Sequence, residues 1–187
     1  MGKVRLYLDN VAELAGNSDI ALVALADEIK MLMVSIVCER SLGTALKMRM
    51  QNEPITKILL PEVAAQMLRS SGNANYELLI NGINEGQYKA YVHNVDTEEM
   101  FRIRISDGLM LATAMDMPIY MDERLMDKQA VPYRTLDKGV SVPVNIITVP
   151  MLEESLKKAI ETENYEMAAK LHHELERRKN DNKNEEL

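Results

Sequence analysis

The stretch from Phe101 to Tyr120, FRIRISDGLMLATAMDMPIY, constrains the fold more than any other. Phe101, Ile103 and Ile105 alternate with Arg102 and Arg104, the period of a half-buried strand. Ser106 stands where a helix N-cap belongs. Asp107 follows in the first turn, where a negative charge suits the helix dipole. Leu109, Met110, Leu111, Ala112, Ala114 and Met115 leave almost no polar face, which predicts a buried helix. Pro118 is expected to stop that helix and to bias Met117 towards an extended conformation, with a short strand after it. Two arginines, a serine and a carboxylate are thus gathered at one strand-to-helix corner.

The chain before this corner reads as alternating strands and helices. Val4, Leu6 and Leu8 alternate with Arg5 and Tyr7, and Gly16 to Asp19 is a turn. Ile20 to Ala26 and Met31 to Cys38 are apolar runs of strand length, separated by the polar turn Asp27-Glu28. Three strands with short polar connections predict an antiparallel meander. Leu42, Ala45, Leu46 and Met50 recur at helical spacing over Glu39 to Gln51, ended by Pro54. Pro61 suits the first position of a helix running to Ser70, with Val63, Ala64, Met67 and Leu68 expected on its core face. Ile55 to Leu60 fits either a strand or an earlier helical turn. Tyr76 to Ile83 and Gln87 to Val95 read as strands joined by Asn84-Glu85-Gly86. If the second of these neighbours the strand ending at Ile105, Lys89, His93, Arg102 and Arg104 share one sheet face. That face is either a solvated surface or an anion site.

After the corner, Asp122 is placed to cap a short helix to Gln129. Val131 to Pro150 carries four prolines or glycines (Pro132, Gly139, Pro143, Pro150) and reads as a linker with one edge strand at Val144 to Val149. From Met151, Leu152, Leu156, Ala159 and Ile160 form one apolar stripe. Tyr165, Ala168, Ala169, Leu171 and Leu175 form another after the break at Glu163-Asn164. The expectation is an αα-hairpin over 151–180 with a frayed tail over 181–187. The fold class is therefore α+β: a mostly antiparallel sheet with packed helices over 1–132, a linker over 133–150, and the C-terminal hairpin.

Charge bounds the partners. The net charge is −7, and no segment is basic: 13 basic against 18 acidic residues precede Tyr133, two against one follow to Pro150, and seven against ten close the chain. Nucleic acid would have to be met through a local face, because neutralising phosphates needs clustered cations. Cys38 is the only cysteine, so an intramolecular disulfide is excluded; it lies in an apolar run and reads as a small buried hydrophobe. The 14 methionines fill core gaps or form an adaptable partner surface. With no signal-peptide pattern and no apolar stretch of spanning length, the expectation is a cytoplasmic protein with no membrane partner. His172-His173 reads as a solvated pair, since successive helical residues diverge by about 100°. No Gly-rich phosphate loop, CxxC pair or HExxH is present.

The tail LEESLKKAIETENYEMAAKLHHELERRK resembles the UVR motif, a helical hairpin of nucleotide-excision-repair subunits and some bacterial quality-control factors. Leu152, Leu156, Ala159, the Glu163-Asn164-Tyr165-Glu166 turn, Ala168-Ala169, Leu171 and Leu175 carry the likeness. His172 and His173 stand where Arg-Asp is usual. A hairpin this short does not bury both stripes by itself, so it needs a partner, usually a second hairpin. The first 132 residues resemble the bifunctional nuclease family. One family motif reads roughly Asp-Ala-Arg-Pro-Ser-Asp-Ala; the chain keeps Arg104, Ser106 and Asp107 but has Arg102 for the first Asp, Ile105 for Pro and Gly108 for Ala. A second, roughly Arg-Pro-Leu-Thr-His-Asp-Leu, keeps Pro54, Thr56 and Leu59, with Lys57 for His and Ile58 for Asp.

The resemblance implies a metal-dependent DNA or RNA phosphodiesterase with Arg104 on phosphate, Asp107 on Mg²⁺ or Mn²⁺, Ser106 as cap and hydrogen-bonding group, and Thr56 in the site. Such chemistry generally needs two or more carboxylates, or a carboxylate and a histidine. With three of those groups replaced, the expectation is weak or lost activity unless Glu39, Glu53 or Asp122 substitutes. The plain reading of Arg104-Ser106-Asp107 is a capped helix with an ion pair. The alternative to an enzyme is a non-catalytic homo-oligomeric adaptor docking a UVR-containing partner through its hairpin.

Overall fold

The computed structural model describes residues 2–13, 19–70, 72, 75–84, 86–133, 149–161, 163–165, 168–169, 171–173 and 175–176. The chain divides into two compact units, one of Met1–Ile83 with Tyr88–Val140, which holds the sheet and its helices, and one of Asn84–Gln87 with Ser141–Leu187, which holds the C-terminal helices.

The first unit is α+β, and its strands form one eight-stranded sheet, mostly antiparallel, in the order β6-β5-β4-β7-β1-β2-β3-β8. The predicted meander is present: β1 (Lys3–Glu13), β2 (Ile20–Asp27) and β3 (Leu32–Glu39) pair antiparallel. The turn expected at Gly16 to Ser18 lies outside the described residues. β4 (Tyr76–Asn84) and β5 (Gln87–Asn94) are neighbours, with Gly86 at φ 79° in the connection as its position requires. β6 (Met100–Arg104) pairs antiparallel with β5 and is an edge strand. That edge position leaves Phe101 53% exposed, where the alternation predicted half-burial. β7 (Ile119–Asp122) lies parallel to β4 and antiparallel to β1. β8 (Val131–Pro132) closes the far edge on β3. Tyr133 continues from it into the core unit: its N–H donates to the Met31 carbonyl and its hydroxyl to Asp9. The edge strand expected over 144–149 is corrected in part: Val149 opens a helix, and 144–148 lie outside the described residues.

Helices α1 (Arg40–Met50), α2 (Leu60–Ser70) and α3 (Ile105–Met115) pack together, with α1 on β1, β2 and β3, and α3 on β6 and β3. The close approach has a sequence cause. A Cβ at Gly43 of α1 would overlap the Cβ of Ala21 in β2, and one at Gly108 of α3 would lie 2.7 Å from Leu78 Cδ1 in β4. Ile55 to Leu60 resolves as a 3-10 turn, Pro54–Ile58, running into α2. α2 is turned part-way from its expected orientation: Ala65 is buried and Ala64 and Leu68 are half-buried as expected of a core face, while Val63 and Met67 are 40% and 67% exposed. Buried Arg49 explains the turn, because it reaches from α1 to Glu62 at 2.8 Å and fixes which side of α2 faces inward.

α3 also departs from expectation at both ends. It starts at Ile105 with Arg104 as the extended residue before it, so Ser106 is a buried first-turn residue rather than the cap. It ends at Asp116, whose left-handed φ of 53° breaks the helix before Pro118 is reached. The Pro118 carbonyl instead accepts from Leu78 N–H, starting the β4–β7 pairing. α4 (Glu123–Gln129) is capped as predicted: the Asp122 carboxylate accepts from the N–H groups of Arg124 and Leu125.

In the second unit, α5 (Val149–Glu161) is followed by a turn at Glu163, φ 56°, and helical residues from Tyr165. Leu152, Ala159, Ala168, Leu171 and Leu175 are buried. Ile160, Tyr165 and Ala169, expected in the same stripes, are exposed, as are His172 and His173.

Gly43 gives a direct check on the helix–sheet contact. Gly43→Ala gains about 1 kcal/mol of helix propensity but overpacks rigid Cβ atoms at about 1–3 kcal/mol. The expected result is a net loss, seen as a melting temperature lower by a few degrees (about 2–4 °C per kcal/mol in a chain of this size). A melting temperature equal to or above the parent's would show that α1 has room on β2.

Candidate functional site

Strand β6 runs without a loop into α3, so residues at the junction are held by regular backbone on both sides. Arg104 Nε donates to Asp107 Oδ2 at 2.6 Å and Nη2 to Oδ1 at 3.2 Å. The pair is open to water, its side chains 71% and 31% exposed. Asp107 holds the guanidinium more firmly charged than usual, with a smaller contribution from Glu39 at the end of β3. Arg104 therefore sits within the field of two acids. Ser106 lies buried between the ion-pair residues in sequence.

The remaining sequence candidates do structural work elsewhere. Thr56 is buried and its hydroxyl donates to the Glu53 carbonyl at 2.8 Å, closing the 3-10 turn. Asp122 is occupied in capping α4. Cys38 is buried with its thiol pushed up to about 11, by burial first and the Glu39 charge second, so it is no nucleophile at neutral pH.

Among the described residues, no group of three or more His, Cys, Asp or Glu side chains is placed to hold a metal ion. At the corner the donor set is one carboxylate with both oxygens facing an arginine. That set does not fit Mg²⁺ or Mn²⁺, which hold to several oxygen ligands; Glu39 is the acid whose field reaches this corner.

The sheet face beside the corner carries a second arrangement. The β5–β6 register sets Lys89 opposite Arg104 and Tyr91 opposite Arg102, and residues in register share a face. Lys89, Arg102 and Arg104 are exposed and Tyr91 is half-buried. The Lys89 stem lies across Gly82 of β4, 3.4 Å from where a Cβ would stand. His93, two residues on from Tyr91, continues the same face.

There His93 Nδ1 is 3.0 Å from Glu77 Oε1 and its Nε2 is 3.3 Å from Glu98 Oε2. Lys3 Nζ donates to both Glu77 oxygens, one at 2.7 Å, and stands 4.3 Å from the centre of the Tyr120 ring. Arg5, next on this face of β1, lies 5.1 Å from the ring centre of Tyr7. Glu77 is buried, which raises its pKa. Bonds and charge from Lys3 and His93 outweigh the burial and hold it below the usual carboxylate range. Five cations thus share the face with three tyrosines, and its buried acid is neutralised in place.

Sequence reasoning anticipated Lys89, His93, Arg102 and Arg104 on one face. It missed Lys3 and Glu77, which meet across 74 positions. The available signal was Glu77 itself, the one charged residue of β4.

A family model described as the bifunctional nuclease domain matches residues 23–134. The match takes in Lys89, Arg102, Arg104 and Asp107, and leaves out Lys3, Arg5 and the C-terminal hairpin. No curated protein matches the chain.

The Glu77 cluster makes a pH prediction. A carboxylate with a depressed folded-state pKa contributes stability above its ordinary value, and that stability is lost as pH falls through the folded value. Glu77 starts from an ordinary 4.5, so the loss lies below about that pH. Lys3→Met removes the largest stabilising partner, and acid unfolding followed by circular dichroism should move to higher pH. Coincident curves for the two proteins would show that Lys3 does not hold Glu77 ionised.

Proposed function

The chain belongs to the bifunctional nuclease domain family, and on that premise we propose that it binds a nucleic-acid strand on the outer face of β5 and β6, with phosphodiester cleavage weak or lost. One observation carries the reading: the register that sets Lys89 against Arg104 and Tyr91 against Arg102. Same-face residues along a strand recur about every 6.6 Å, so the cations form a short row that a phosphate backbone can follow. Tyr91 offers an aromatic surface between them for stacking a base, which favours an unpaired strand. With a net charge of −7, attraction has to come from a local face such as this one.

Weak cleavage follows from the same corner. Hydrolysis assisted by Mg²⁺ or Mn²⁺ would need Asp107 freed from Arg104 and a second acid, of which Glu39 is the nearest in effect.

Fluorescence anisotropy with a labelled single-stranded oligonucleotide tests binding. Three phosphate-contacting cations give a slope of about −2 for log affinity against log salt, and each one removed takes away about 0.7. Lys89→Glu with Arg102→Glu should weaken binding at least tenfold; unchanged affinity would end the proposal. Cleavage is tested separately, with plasmid and single-stranded RNA in Mg²⁺ or Mn²⁺, beside Asp107→Ala. Equal residual cutting by both proteins would mark a contaminant.

A specific observation also favours the adaptor reading. Leu156 and Ile160 line an outward groove on α5, flanked by Glu153, Lys157 and Glu161. Ile160 is 54% exposed while Leu152 and Ala159 are buried, so the hairpin keeps a second apolar stripe for a partner helix, as its UVR likeness implies. Leu156→Glu with Ile160→Glu should abolish capture of a purified UVR-bearing protein. Capture at parental strength would remove this role from the hairpin.

A further inference from the structure

We propose that two copies of this chain pair through an apolar face built by α2 and the 3-10 turn before it. Leu60, Val63 and Met67 recur at the three- and four-residue steps of one helical stripe, and they are 80%, 40% and 67% exposed. Ile55 and Ile58 on the 3-10 turn are 52% and 73% exposed, and Met50 at the end of α1 is 39% exposed. These six side chains expose roughly 600–700 Å², at or beyond the largest apolar patch of a typical monomer and most of the ~800 Å² each partner gives to a standard interface.

The face is preformed. The 3-10 turn runs into α2 through the bonds Leu59 N–H to Thr56 and Val63 N–H to Leu59. The buried Arg49–Glu62 pair clamps α2 to α1. Nothing in that arrangement lets α2 rotate its stripe inward without stranding a buried arginine.

Its charge identifies the occupant as a second copy. Glu62 is neutralised by Arg49, and Arg69 lies 3.6 Å from Asp116. Glu53 and Lys57 flank the stripe, one of each sign. A chain of net charge −7 meets itself most readily where the contact carries no net charge. A nucleic acid or an anionic lipid surface would need clustered cations, and here Lys57 is balanced by Glu53 and Arg69 by Asp116. Two α2 helices crossing at a twofold axis put the same stripe on both sides, as a closed isologous contact requires. The methionines in the patch supply side chains that adapt to a copy of themselves. α2 packs chiefly on α3 and the turn, so pairing leaves Lys89, Arg102 and Arg104 on their own surface.

Light scattering behind size exclusion on the full chain, across micromolar concentrations, should read twice the 21.2 kDa chain mass. Leu60→Glu with Met67→Glu should weaken association at least 100-fold and give the single-chain mass with an unchanged circular dichroism spectrum. A parent that stays at the single-chain mass, or a folded double variant that keeps the parental mass, overturns the proposal. Hydrogen exchange on the parent needs no variant: amides over 55–70 should gain protection as concentration rises while those of α4 do not. Protection over 55–70 that ignores concentration also overturns it. Neither readout depends on nucleic-acid binding or on the hairpin's partner.

Discussion

The four residues Ile119–Asp122 join what would otherwise be two sheets. On one side they pair parallel with β4, on the other antiparallel with β1. Without them, β6-β5-β4 would be a three-stranded antiparallel piece and β1-β2-β3-β8 a second one. Short parallel pairings are the weaker kind and need cover on both sides. That cover exists on the helix side, where Ile119 and Met121 are buried with Leu78 and Ile80. On the outer side Tyr120 lies beneath the Lys3 ammonium. The Glu77–Lys3 contact spans β4 and β1 directly above β7, so a charged bridge reinforces the seam that hydrogen bonds close.

The electrostatics of the outer face follow from that seam. Glu77 would be a costly buried charge by itself, and Lys3 and His93 remove the cost by bonding it. Once it is neutralised, the exposed charges of β5, β6 and β1 on this side are dominated by cations. Asp107 tempers one end through Arg104, whereas Lys89, Arg102 and Arg5 have no bonded acid among the described contacts. A local positive surface thus coexists with an acidic chain because its internal acid is spent on architecture.

The sequence made the alternating strands legible, since β5 carries Tyr88, Ala90 and Val92 on its buried side with polar residues between. The Asp122 cap was equally plain, because its bonds are local. What failed was anything decided by a distant partner. α2 reads as amphipathic, and its apolar stripe was assigned inward by default; Ala64 and Leu68 do stay half-buried, but with the Arg49–Glu62 pair, set by packing between two helices, Val63 and Met67 point outward. Ser106 reads as a cap only if the helix begins after it, but β6 delivers an extended Arg104 directly to Ile105. The Glu77 cluster depends on strand order, which no local pattern encodes. Of the site residues taken from the family likeness, Arg104 and Asp107 come together, whereas Thr56 serves its own turn.

The departures from the family pattern make physical sense as a set. Where the pattern has an acid two residues before its arginine, this chain has Arg102, and the register puts that residue opposite Tyr91 on the open face. An acid there would sit among Lys89 and Arg104 as a ligand or a brake on phosphate approach; an arginine lengthens the cationic row. In the second motif Lys57 and Ile58 stand where His and Asp are usual, and Ile58 is among the most exposed apolar side chains of the chain. Replacing an acid by isoleucine at that point removes a charge from the stripe formed with Leu60 and Val63. Both changes remove a possible oxygen ligand and put a side chain of different character in its place, a cation at 102 and an apolar group at 58.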